Sequence, residues 1–292
     1  MASWYDVILI TAIREAVLKG KLFKTIFGVW FVVCALSFQT SSAATALSEF
    51  SKSHQIDSFD LDHGAQVRTH RFGEYQLVEL YIPAAKAALT VHDLRAKEVA
   101  VQAYRELQNK NTLAIVGGGF FGYNRHGQEQ PIGLVRVDGK RKISVMPWSH
   151  GGVIASDGKG TLRIFPASSK GQGGRWKYAL QSKPIIILNG NVDVAKNLRD
   201  AEYNRVAVGV TVQGDVLVVG LFQSFGQAAT LVQFSHIYKS LADERELKIL
   251  RALAMDGGAG AQIHIPKLGL VYGDTGLSYF PNALRFDAVV ER

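Results

Sequence analysis

The chain has 292 residues, 47% of them hydrophobic and 20% charged, with a formal net charge of +8. That balance supports a sizeable buried core and excludes disorder of the whole chain. The basic residues are scattered, densest at "GKRK" (139–142), with no interleaved aromatic and basic block to argue for nucleic acid; the surplus fits a solvated surface or attraction to an anionic ligand or cell surface.

In chain order, the first feature is an export pattern. Lys19, Lys21 and Lys24 precede an apolar run, "TIFGVWFVVCALSF" (25–38), and a small polar stretch ends in Ala44-Thr45-Ala46. The run is short for a membrane span. Residues 1–46 are therefore expected to be a signal peptide or a signal anchor. They are the only expected membrane contact, and residues 47–292 form one exported domain, periplasmic or extracellular. The sole cysteine, Cys34, lies inside the apolar run. A domain without thiols excludes disulfides, cysteine-ligated zinc and a cysteine nucleophile, and it suits an oxidising compartment.

Residues 65–72 and 76–83 read as strands. Residues 92–109 read as a helix capped by Asp93, with Ala96, Ala100, Ala103 and Leu107 on one face. Strands follow at 112–117 and 133–137, with tight turns at Asp138-Gly139 and Asp157-Gly158. Residues 183–190 read as a buried strand. "RVAVGVTV" (205–212) and "VLVVGLF" (216–222) make a hairpin through Gln213-Gly214-Asp215. Thr230 caps a helix to about Tyr238, and 243–251 continue helically. A strand at 252–255 runs into a glycine turn, and the last strands lie near 262–266 and 279–290. The predicted class is α+β: mixed or antiparallel sheets with a few packed helices, in a single compact domain.

Two glycine motifs carry the chemistry. In "TLAIVGGGFFGYNRHG" (112–127), Gly117, Gly119 and Gly122 fit G-x-G-x-x-G, and Asp138 follows about twenty residues on. A dinucleotide site needs those glycines to open a helix whose N-terminus meets the pyrophosphate. Gly127, Pro131 and Gly133 prevent one here, so no nucleotide cofactor is expected. What remains is either tight packing under a loop or backbone that a ligand approaches closely. In "ALAMDGGAG" (252–260), Asp256 ends a strand beside bare backbone N–H groups. Arg205 opens a strand, and Asn282 follows Pro281. The histidines show no metal-ligand spacing, so no metal is expected.

Taken in order, "AIVGGGFFGYN" (114–124), "QPIGLVRVDGK" (130–140), "ALQSKPIIILNG" (179–190), "NRVAVGVTVQGDVLVV" (204–219), "TLVQFSHIYKSL" (230–241), "ALAMDGG" (252–258) and "FPNALRF" (280–286) resemble the phosphodiester glycosidase family. The resemblance implies cleavage of a sugar-1-phosphodiester at the anomeric carbon in a phosphorylated sugar or glycan, without a cofactor. It points to Asp256 as nucleophile, base or charge stabiliser and to Arg205 as the phosphate ligand. Gly118, Gly119, Gly257 and Gly258 would line the floor with Phe120, and Asn124 and Asn282 would bind sugar hydroxyls. Glu202 is a candidate second carboxylate. The family pattern has Asn where this chain has Gly117, and serines where it has Ala259-Gly260-Ala261. Those departures keep a second reading open, a non-catalytic glycan- or envelope-binding protein on the same fold.

Overall fold

The computed structural model describes residues 45–52, 55–95, 100–168, 172–273 and 281–289. The predicted apolar run at 25–38 lies outside them. Helix α1 covers Ala46–Phe50, and strands β1 (Gln55–Asp60), β2 (Gln66–Phe72), β3 (Tyr75–Ile82) and β4 (Ala87–Asp93) follow. Helix α2 (Ala100–Leu107) leads to β5 (Thr112–Gly117), β6 (Phe121–Tyr123), β7 (Glu129–Pro131), β8 (Val135–Val137) and β9 (Lys140–Ile143). Then come β10 (Gly152–Ser156), β11 (Leu162–Pro166), β12 (Tyr178–Ser182), β13 (Ile185–Leu188) and β14 (Asn191–Val192). The chain continues through β15 (Arg205–Thr211), β16 (Val216–Gln223), helix α3 (Leu231–Glu244), β17 (Ile249–Ala254), β18 (Ile263–Ile265), β19 (Leu270–Tyr272) and β20 (Asn282–Ala288).

The strands form an eight-stranded sheet, β1-β2-β3-β16-β15-β17-β13-β14, two five-stranded sheets, β11-β10-β12-β8-β9 and β19-β18-β5-β20-β4, and the pair β6-β7. Every strand pairing among the described residues is antiparallel. The fold is thus more β-rich than the expected α+β, and its sheets are antiparallel rather than mixed. Half of these pairings join consecutive strands as hairpins, a connection that only antiparallel neighbours allow; the others bring together strands distant in the chain. Among the described residues no helix is long and apolar enough to cross a membrane.

The central strands of the eight-stranded sheet are buried on both faces. Alternation along β16 sends Leu217, Val219 and Leu221 to the side of α3, where they meet Phe234, Ile237 and Tyr238. Val216, Val218 and Phe222 face the other way, into a core shared with Leu89, Leu180 and Phe286 of the five-stranded sheets. Two covered faces explain the unbroken apolar run at 206–210, inside a strand β15 whose every residue is buried. Ala46 and Phe50 of α1 join the α3 side. The predicted boundary after Ala46 therefore falls inside a packed helix, and the described unit begins at its cap, Thr45.

The hairpin turns follow the sequence. Asp138 (φ 48°) and Gly139 (φ 75°) join β8 to β9 in the left-handed conformation that two-residue hairpin turns need. Two helical expectations fail. Asp93 ends β4, and its carboxylate holds the Arg95 guanidinium instead of capping a helix. Residues 249–251 belong to β17, which pairs with β15 and β13; the central sheet position overrides the helical propensity of "DERELKILR". Thr230 does cap α3, in a reciprocal capping box with Gln233. Thr230→Ala is expected to cost about 1 kcal/mol and to lower Tm by roughly 2–4 °C, read by thermal denaturation.

Candidate active site

The site forms where central strands of two sheets end together. Ala254, the last residue of β17, pairs with Ala207 of β15, and the Met255 N–H donates to Val206 O (2.9 Å). The next residue, Asp256, donates its N–H to Gly118 O (2.9 Å) just beyond β5. The Gly258 N–H then donates to Asn204 O (2.9 Å), one residue before Arg205. Backbone hydrogen bonds from β5 and β15 thus fix the Asp256 turn from both sides.

These residues border a cavity of about 990 Å³. Asp256, Gly257, Gly258, Arg205 and Phe120 line it, together with Asp200, Lys183 and His150. Val192, Val194, Leu198 and Leu231 add apolar lining.

Arg205 is 8% exposed and rigidly held. Its Nε donates to Ala229 O (2.9 Å), and its Nη2 donates to Asp200 Oδ2 (2.5 Å) and Ala201 O (2.7 Å). Among the described residues nothing accepts from Nη1, which lies beside Gly257: a Cβ there would stand 3.3 Å from it. Burial pulls the guanidinium pKa down, and the Asp200 carboxylate, Tyr203 and Asp256 oppose that pull. Asp200 also accepts from the Leu231 N–H (2.8 Å) at the first turn of α3, so it is a positioning residue for Arg205.

Asp256 sits differently. Burial pushes its carboxyl up to about 7, against the opposing effects of the Gly257 N–H and Arg205. Its Oδ1 accepts from that N–H (3.0 Å), and its Oδ2 packs where a Cβ of Gly260 would stand. Lys183, also in the lining, holds its Nζ 5.0 Å from the Trp148 ring and 5.7 Å from Phe120. The cavity thus combines one carboxyl that exchanges its proton near neutrality, two cations and apolar lining. Among the described residues no group of three or more His, Cys, Asp or Glu is placed to hold a metal ion.

Residues 109–279, more than half of the chain, match the model of the phosphodiester glycosidase family. The chain belongs to the phosphodiester glycosidase family. Solved structures share the fold at low identity. A hypothetical protein from Synechocystis superposes with a TM-score of 0.60 at 12% identity, covering 82% of this chain and 64% of that one. This phosphodiester glycosidase chain therefore spans just under two thirds of that relative. The zebrafish N-acetylglucosamine-1-phosphodiester α-N-acetylglucosaminidase catalytic domain, auto-inhibited by its pro-peptide, gives a TM-score of 0.51 at 13% identity over 82% of this chain and 83% of that one. A Burkholderia pseudomallei protein described as exported gives 0.51 at 13%, over 85% and 88%. No curated protein sequence matches the chain.

Of the residues that the resemblance points to, Asp256, Arg205, Phe120, Gly257 and Gly258 come together in the lining of this cavity. The others do not reach it. Gly118 and Gly119 are buried beneath its wall. A Cβ on Gly118 would strike Asn282 Oδ1, and one on Gly119 would stand 2.5 Å from Gln181 O. Asn282 is 1% exposed and clamps this loop: its Oδ1 accepts from the Gly119 N–H (2.6 Å) and its Nδ2 donates to Gly119 O (3.1 Å). Asn124 closes the β6–β7 turn, accepting from the N–H groups of His126 (2.8 Å) and Gln128 (3.0 Å). Glu202 is exposed and does not line the cavity. Sequence reasoning missed Asp200 and Lys183. An acid five residues before Arg205 was the only available signal for Asp200, and Lys183 gave none.

Proposed function

We propose that this chain hydrolyses a sugar-1-phosphodiester at the anomeric C–O bond in a cell-envelope or extracellular glycan, after export directed by residues 1–46. The observation that supports the reading is that Asp256 and Arg205, distant in the chain, line one cavity. The free Nη1 edge of Arg205 takes the phosphate, and Lys183 adds a second positive charge to the lining. Asp256 takes a proton from the attacking water as the water oxygen bonds to C1. The C1–O bond breaks, and the phosphomonoester departs with the bonding electrons, its growing charge met by Arg205. A carboxyl held near 7 suits proton transfer at neutral pH better than a permanently ionised one. The apolar lining accommodates the C–H face of the sugar ring.

The test is release of free sugar from a panel of sugar-1-phosphodiesters by the purified chain. Arg205→Lys retains a charge but not the planar fork that Asp200 and Ala229 hold. It is expected to lower kcat/KM by about 10²-fold, mostly through kcat. No release by the wild type, or unchanged kinetics in Arg205→Lys, would overturn the reading.

A further inference from the structure

A second cavity, about 630 Å³, adjoins the first. The two share Tyr203, Gly258 and Ala259 as a common wall. Asn204, 4% exposed, is the strut in that wall. It accepts the Gly258 N–H at its carbonyl and the Gln223 N–H at Oδ1 (2.9 Å each), and it donates its own N–H to Gly226 O (2.8 Å). The loop bearing Phe225 therefore hangs from the residue next to Arg205.

The chemistry of this cavity differs from that of the first. Phe225 is 84% exposed at its edge, Tyr203 is 46% exposed, and Phe222 stacks on Tyr272 at 5.8 Å with 21° between the rings. Side-chain amides of Gln76, Gln223 and Gln227 supply donors and acceptors. Among the described lining residues the one charged group is Glu74, which accepts from Gln223 Nε2 (3.2 Å). Without a cation and with a carboxylate, the cavity disfavours phosphate. The open ring of Phe225 beside amides and a carboxylate is instead suited to a ligand with apolar C–H faces and many hydroxyls.

We propose that this second cavity binds a neutral saccharide unit of the same glycan, adjacent to the unit whose anomeric phosphodiester is cut in the first. The proposal rests on the sugar-phosphodiester reading of the first cavity and extends it: the substrate is an oligosaccharide or polysaccharide rather than a single phosphorylated sugar. Phe225 is the stacking platform, and the amides and Glu74 take the hydroxyls.

Maltotriose, cellotriose and the N-acetylglucosamine trimer, all neutral, serve as probes, titrated calorimetrically and by amide chemical-shift perturbation. At least one is expected to bind the wild type, to bind Arg205→Ala within two-fold as well, and to bind Phe225→Ala at least five-fold more weakly. Phe225 is nearly fully exposed, so an unchanged Tm verifies that this variant folds. Phe225→Ala is also expected to leave kcat/KM on a monosaccharide-1-phosphodiester unchanged. Failure of all three trisaccharides to bind, or binding that survives Phe225→Ala, would overturn the proposal. If that happens while the wild type still hydrolyses monosaccharide-1-phosphodiesters, the proposed reaction stands and this subsite falls. Trisaccharide binding that depends on Phe225 in a protein without hydrolysis leaves the subsite and removes the reaction.

Discussion

Asp256→Asn is expected to slow hydrolysis by about 10²–10⁴-fold and, at the same time, to stabilise the folded chain above neutral pH. The variant keeps the shape of the side chain, and its amide oxygen can still accept the Gly257 N–H that Asp256 holds at 3.0 Å. It cannot take a proton from water, and loss of a positioned base costs about 10²–10⁴ in rate. Stability moves the other way because burial raises this carboxyl from 3.8 to about 7. Below pH 4 the carboxyl is protonated in both the folded and the unfolded chain, so the shift has no effect on stability. Between pH 4 and 7 the unfolded chain ionises first while the folded chain retains its proton, and the wild type loses stability as pH rises. Above 7 both forms are ionised, and the loss stays constant. The full shift corresponds to roughly 4 kcal/mol at about 1.4 kcal/mol per pH unit. Water at this partly exposed site reduces it, and a gain of about 2 kcal/mol at pH 8 is expected. Urea titrations of both proteins at pH 4 and pH 8 give the comparison. Equal stability at both pH values would show that the carboxyl is not held near 7. The wild-type kcat/KM should also rise with pH through about 7, and residual activity of the variant should lack that limb.

A second large effect is expected from restoring the family's side chain at Gly117. Gly117→Asn places a Cβ against the carbonyl of Gly260, and Gln262 N lies 3.4 Å away. Both obstacles are backbone. Gly260 cannot retreat freely, because its own Cβ position is filled by the Asp256 carboxyl, whose Cγ would stand 2.6 Å away. The end of β5, the Gly258–Gly260 turn and the Asp256 side chain are therefore interlocked. We expect a loss of about 3 kcal/mol or more, a Tm lower by roughly 6–12 °C, and activity reduced further than stability alone explains. Gly174→Ala meets nothing within 4 Å and serves as the control with unchanged Tm. A Gly117→Asn protein with wild-type Tm would mean that β5 and the 258–260 turn are not packed this way. A side chain at 117 is thus incompatible with how this chain packs the turn that carries Asp256.

The hairpins were legible because their signals are local. Asp138-Gly139 adopts the left-handed backbone that its sequence announces, and Thr230 with Gln233 forms its cap from four adjacent residues. Residues 249–251 were misread because their state depends on β13 and β15, distant in sequence, which flank them in the sheet. The site divided along the same line. Arg205 and Asp256 stand at the ends of apolar runs, where a charged residue must face an edge or a cavity. Spacing alone could not reveal whether Gly118 faces a ligand or Asn282, since glycine serves close approach to either. Asp200 and Lys183 were hidden because what makes them notable, the Nη2 of Arg205 and the rings of Trp148 and Phe120, comes from other parts of the chain.

The central claim is that Asp256 and Arg205 act on the anomeric C–O bond rather than on a P–O bond. Hydrolysis of a sugar-1-phosphodiester in water enriched in oxygen-18, followed by mass spectrometry of both products, decides between them. Label is expected in the anomeric hydroxyl of the released sugar and none in the phosphomonoester. Label in the phosphate, with unlabelled sugar, would contradict that claim.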